Sequence, residues 1–366
     1  MKEAESLDDL LREAVEMGGS DLHISVGAQP RVRVHGALKN MQYSVIMPDA
    51  AKKLIYPLMD AYAKTNLTST GQWDMSYTLR DVARFRVNIF MQKGDVTGVF
   101  RVLNETVPEY TTLGLPINVF NLYKKRRGLI LIVGPTGSGK STTLASFLNI
   151  INKNLFKHII TLEDPIEYLH WHARSLINQR EIGKDCNSFA DGLRAALRED
   201  PDVILVGEMR DLETTSIAIT AAETGHLVCS TLHTLGAAET INRIIDMFPE
   251  SQHNQIRSQL CSILEAVVSQ QLMPKKDGSG YTVAYEVMFR NKYIKELIRD
   301  KKIDEISEYL NTDEAIMQGM VSMDSTIFDK YQKGVVSRET ALDFSFDRKE
   351  LQRRMSVSNK EGSTKK

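Results

Sequence analysis

"LILIVGPTGSGKSTTL", residues 129–144, sets the fold class of this 366-residue chain. Its unbroken apolar start reads as a strand covered on both faces, and the segment from Lys140 onward reads as a helix. Between them Gly134, Gly139, Lys140 and Ser141 stand in G-x-x-x-x-G-K-S spacing. Glycines there let the backbone curl into a nest of N–H donors, and the following helix turns its positive end toward the same anion. Such a loop cradles the phosphates of a nucleotide. The expected binding residues are Gly134, Pro135, Thr136, Gly137, Ser138, Gly139, Lys140, Ser141 and Thr142. Lys140 is expected to reach the β- and γ-phosphates of ATP, and Ser141 to hold Mg²⁺.

Further apolar runs, "HIITLED" at 158–164 and "DVILVGE" at 202–208, alternate with helical stretches such as "SFADGLRAALRED" at 188–200. That alternation predicts an α/β domain built on a doubly covered sheet. Hydrolysis needs a group that orients or deprotonates water, and two carboxylates close strands of this sheet, where α/β folds collect their chemistry. Glu163 ends one and Glu208 follows the other. Gly207 stands where a magnesium-binding aspartate often precedes the glutamate, so metal help is expected from Glu208 itself or through water. Asp164 and Glu167 are expected to be solvated or helix-capping.

The first hundred residues combine a helix, "SLDDLLREAVEMG" at 6–18, with alternating stretches in "PRVRVHG" and "ARFRVNIF". In these, arginines fall on one strand face and apolar residues on the other. A small α+β domain over 1–104 is predicted, followed by a linker over 105–116, where prolines and a glycine interrupt any periodicity. The nucleotide-binding α/β domain is assigned to 117–290, a helical subdomain to 291–355 and a disordered polar tail to 356–366. Residues 251–272, "SQHNQIRSQLCSILEAVVSQQL", read as one helix. Ser322 or Asp324 is expected to cap "TIFDKYQKG", and Ser337 to cap "RETALDF".

Composition is that of a globular protein, 42% apolar and 25% charged, and the formal net charge of −1 argues against nucleic acid as the partner. No apolar run approaches the roughly 20 residues that span a bilayer, and the acidic amphipathic start is not a signal peptide. A cytoplasmic location is expected. Cys186, Cys229 and Cys261 are too scattered for a disulfide framework or a paired-cysteine zinc site.

The phosphate loop, the acidic "ITLEDPIEY" (160–168), the glycine-glutamate strand end and "GHLVCSTLHT" (225–234) together resemble the secretion ATPase superfamily, in its type IV pilus retraction branch. The likeness runs from "GGSDLHI" (18–24) through "RFRVN" (84–88) to "GMVSMDSTIFD" (319–329). It implies a RecA-like motor domain behind a PAS-like N-terminal domain, assembled as a homohexameric ring. An inner-membrane pilus platform protein and a paralogous pilus ATPase are the implied partners, at the inner face of the cytoplasmic membrane. It assigns Glu163 as general base and sets His226 and His233 near the γ-phosphate, where a group of pKa near 6.5 responds to charge. Read from the strand alone, the two histidines are satisfied residues at its ends.

Family likeness also implies arginines reaching a nucleotide shared between domains or subunits. Arg84, Arg86 and Arg101 fill the matching region, with Arg194, Arg198 and Arg210 as further candidates in the motor domain. One segment departs from the pattern. Retraction ATPases carry A-I-R-N-L-I-R-E where this chain has "YIKELIRD" at 293–300, so Tyr293 replaces alanine and Glu296 replaces asparagine. This keeps an accessory retraction ATPase as an alternative. An extension or type II secretion ATPase is a further one, against which stands the lack of a four-cysteine zinc site.

Overall fold

The computed structural model describes residues 2–103 and 106–363, and the side chains up to residue 357. The chain divides into two compact units. One comprises Met1–Thr106 with Asp164–Leu169 and Gly183–Asp185, and the other holds the remainder.

The first unit carries β1 (Asp21–Ile24), β2 (Arg31–Val34), β3 (Ala37–Asn40), β4 (Gln72–Leu79), β5 (Ala83–Gln92) and β6 (Asp95–Leu103). They form an antiparallel sheet in the order β3-β2-β1-β6-β5-β4. Successive side chains on a strand face opposite ways, so Phe85, Val87 and Ile89 share one face with Phe100, Leu22 and Val32. That face packs under Leu10, Leu11, Leu54 and Ile55 of the helices Leu7–Glu16 and Pro48–Ile55. The opposite face carries the arginines. Register aligns Arg33, Asp21, Arg101, Arg86 and Ser76 in one row across five strands.

The second unit is built on β7 (Gly128–Val133), β8 (His158–Glu163), β9 (Leu176–Glu181), β10 (Val203–Val206), β11 (Leu227–Leu232), β12 (Leu264–Pro274) and β13 (Tyr281–Phe289). Their order is β13-β12-β7-β11-β10-β8-β9, with β13 alone antiparallel to its neighbour. Both faces are covered. Leu129, Leu131 and Val133 enter a core with Ala218, Ile241 and Leu260, while Ile130 and Ile132 enter another beneath Leu144, Phe147 and Ile151. Each such side chain contributes about 1.5–3 kcal/mol of burial, which is why the strand is apolar throughout rather than alternating.

Two expectations are corrected. Residues 251–272 are not one helix: a helix over His253–Ile263 gives way at Leu264 to β12. Both faces of that segment are buried, and a slot between β7 and β13 supplies its backbone with ladder partners, which favours extended Val267 and Val268 over continued helix. The tail expected to be disordered from residue 356 is helical as far as Ser363, and residues 364–366 lie outside the described part. Buried Leu351 and Met355 anchor the first turns of that helix, and propagation from a formed helix costs little. Residues Asn104 and Glu105, at the expected linker, also lie outside the described part.

Helices after Asn291 belong to the second unit, where Ile294, Leu297 and Ile298 complete a core with Leu129 and Leu260. Ser337 caps its helix by accepting from the Thr340 N–H at 3.0 Å. Ser322 precedes the helix Met323–Gln332, but its hydroxyl donates to Asn311 instead. Among the described residues no helix is long and apolar enough to cross a membrane.

Candidate nucleotide site

The loop after β7 turns on glycines where side chains are penalised: φ is 143° at Gly134, 79° at Gly137 and 88° at Gly139. Gly134 is doubly constrained, since a Cβ there would lie 2.2 Å from the Gln270 carbonyl oxygen. Pro135, Thr136 and Gly137 are exposed at the loop tip. The Lys140 ammonium is buried in the loop and donates to the carbonyls of Gly134 and Pro135 at 2.8 and 2.9 Å. The Ser138 hydroxyl is buried there without a hydrogen-bond partner, an orphan that a phosphate oxygen would satisfy. Ser141 and Thr142 lie on the first turn of the helix Lys140–Asn154, with Ser141 exposed.

Sheet order gathers the other candidates. Gly134 N–H donates to the Leu232 carbonyl, so His233 leaves the strand beside the loop. One strand further, Glu208 follows β10, and its carboxylate meets Arg210 at 2.5 Å and His233 Nε2 at 3.4 Å. Gly207 is explained by crowding: its N–H donates to the Leu162 carbonyl, and a Cβ would stand 3.0 Å from that oxygen and 3.4 Å from the Phe189 ring. Glu163 ends β8, beyond β10, where Thr161 and Gln179 donate to its Oε1 at 2.6 and 3.0 Å. At about 4.8 Å per strand it sits roughly 14 Å across the sheet from β7. Asp164 is exposed and Glu167 half-buried, and no helix begins at either.

His226 precedes β11 at the end away from the loop, about 23 Å from His233 at strand rise, and its Nδ1 faces the Ala221 carbonyl at 2.9 Å. Arg84 is a buried brace of the first unit. It donates to the Ile166 carbonyl, Thr78 Oγ1 and Ser76 Oγ at 3.1, 3.0 and 2.7 Å. Arg101 pairs with Asp21 at 2.8 Å. Burial pushes the Asp21 carboxyl up, but hydrogen bonds from Arg101 and Ser20 hold it below its usual range. Arg86 stands opposite Arg101 on the same face. Arg194 pairs with Asp191 and Glu213, and Arg198 is exposed in the turn after the helix Phe189–Ala196.

Several residues at the site carry no sequence signal. Gln270 bridges the loop to its helix from β12. Ser269 and Glu286 accept from the N–H groups of Gly236 and Ala237, holding the segment that follows His233. Burial raises the pKa of Glu286. Among the described residues no group of three or more His, Cys, Asp or Glu could hold a metal. Mg²⁺ does not require one, because it takes most of its oxygens from phosphate and water. Ser141 Oγ and the Glu208 carboxylate fit that smaller share.

A sheet parallel but for its edge strand β13, with a G-x-x-x-x-G-K-S loop after β7 and carboxylates at neighbouring strand ends, defines a P-loop nucleotide-binding protein. The chain belongs to the type II/IV secretion system protein family, whose pattern matches residues 3–341. It is 42% identical to the type IV pilus retraction ATPase PilT of Pseudomonas aeruginosa, over 92% of this chain and 96% of that one. It is 36% identical to the type IV pilus ATPase PilU of the same organism, over 92% and 87%. The crystal structure of the pilus retraction motor PilT with bound ADP superposes with a TM-score of 0.88 at 46% identity, covering 95% of this chain and 99% of that one. The Legionella pneumophila ATPase DotB matches with a TM-score of 0.82 at 29% identity, over 92% and 93%.

Proposed function

We propose that this chain is a homohexameric ATP-hydrolysing motor that powers type IV pilus retraction. One observation carries the reading: a complete phosphate loop adjoins His233 and Glu208 on successive strands, in a chain matching retraction ATPases over nine-tenths of its length. Lys140 and the loop N–H groups bind the phosphates. Ser141 and Glu208 would hold Mg²⁺, which would supply positive charge against the phosphates. Glu163, kept in place by Thr161 and Gln179, acts as general base on water. His233 reports the γ-phosphate to Glu208 and its partner Arg210. Arg86 and Arg101 supply charge to a nucleotide shared on the ring.

The motor works at the inner face of the cytoplasmic membrane, against a platform protein and beside a paralogous pilus ATPase such as PilU. A second reading, an accessory retraction ATPase, draws on one segment. Tyr293, which replaces the alanine of the retraction pattern, packs its ring at a tilt against Tyr309 with centroids 4.6 Å apart. ATP turnover by the purified chain and by Lys140→Ala tests the motor reading. Turnover in the parent and none in the variant is expected; equal turnover would reject the loop as the catalytic site.

A further inference from the structure

Behind the phosphate loop, β12 runs parallel to β7 with Ser269 opposite Val133, which sets Gln270 just past the end of β7. The residue is 2% exposed. The amide is engaged at both ends: Oε1 accepts from Thr143 Oγ1 at 3.0 Å, and Nε2 donates to the Ser138 carbonyl at 2.6 Å. Nε2 also lies 3.1 Å from where a Gly139 Cβ would stand, and the Gln270 carbonyl abuts Gly134. One residue therefore meets the first glycine of the loop, its last turn and the helix that follows.

We propose that Gln270 is the positioning residue of the phosphate loop. In a planar trans peptide the carbonyl and the next N–H point opposite ways. Holding the Ser138 carbonyl against β12 therefore turns the Gly139 N–H away from β12 and into the loop, where a β-phosphate is received. Only an uncharged amide offers donor and acceptor on one rigid fork, so neither an acid nor an apolar residue of equal length replaces it. Gln270 touches no phosphate and acts through the loop, so it governs ligands that carry a β-phosphate and is indifferent to those that lack one.

The inference rests on the nucleotide reading of the loop, and the test separates the two. Full-length protein, Gln270→Met and Gln270→Glu are titrated calorimetrically with ADP and, by competition, with AMP, alongside thermal unfolding without nucleotide. Met keeps the volume and loses both hydrogen bonds; Glu keeps the acceptor for Thr143 and sets a carboxylate against the Ser138 carbonyl. Both variants are expected to lose roughly tenfold or more in ADP affinity with less than a twofold change for AMP. If one variant does not fold, the other decides. Unchanged ADP affinity, or equal losses for ADP and AMP, would overturn the positioning role and leave Gln270 a core residue. Parent protein that binds ADP no better than AMP would overturn the nucleotide reading and this inference with it.

Discussion

His226 and His233 flank the same strand, yet only His233 stands beside the loop and within 3.4 Å of the Glu208 carboxylate. A sensor of the γ-phosphate must bind ATP and ADP unequally, because only differential affinity drives a change. His233→Ala is expected to weaken a non-hydrolysable ATP analogue more than ADP, by about 1–3 kcal/mol in titration calorimetry. His226→Ala, at the far end of β11, is expected to leave that difference unchanged. Equal losses for both ligands in His233→Ala would make it a structural residue. The phosphate loop was legible from sequence because glycine spacing encodes a local backbone shape. The surroundings of Arg84 were not, because its partner Ile166 is 82 residues away and is brought to it by folding rather than by any local pattern.

Helix and strand compete most closely along residues 251–272, where apolar residues satisfy either period. The helix His253–Ile263 keeps its exposed polar side, whereas β12 is buried on both faces and takes its ladder from β7 and β13. That environment is tertiary, so the boundary at Leu264 is invisible locally, and with it Gln270 and its contact 127 residues away. By contrast the helix Lys292–Arg299 is announced by Ile294, Leu297 and Ile298 at helical spacing, all buried. Asn291 secures its start. Oδ1 accepts from the Ile294 N–H at 2.7 Å, while Nδ2 donates to Tyr309 Oη and Gln318 Oε1 at 2.6 and 2.8 Å. Asn291→Ala is expected to lower stability by about 1–3 kcal/mol, beyond an ordinary cap, because two further partners are lost. Denaturant midpoints check this, and a midpoint equal to the parent's would deny the anchor.

At the scale of the molecule, two units share one chain, and each has its own sheet and core. The first presents Arg86 and Arg101 on the face opposite its core, and the second holds the phosphate loop, His233, Glu208 and Glu163. Retraction is the central claim, and it is read most directly in the organism that carries the gene. Surface pili are counted and twitching is tracked after deletion, and after complementation with the parent gene or Lys140→Ala. The account predicts excess pili without twitching on deletion, reversed by the parent gene and not by the variant; loss of surface pili on deletion would contradict it.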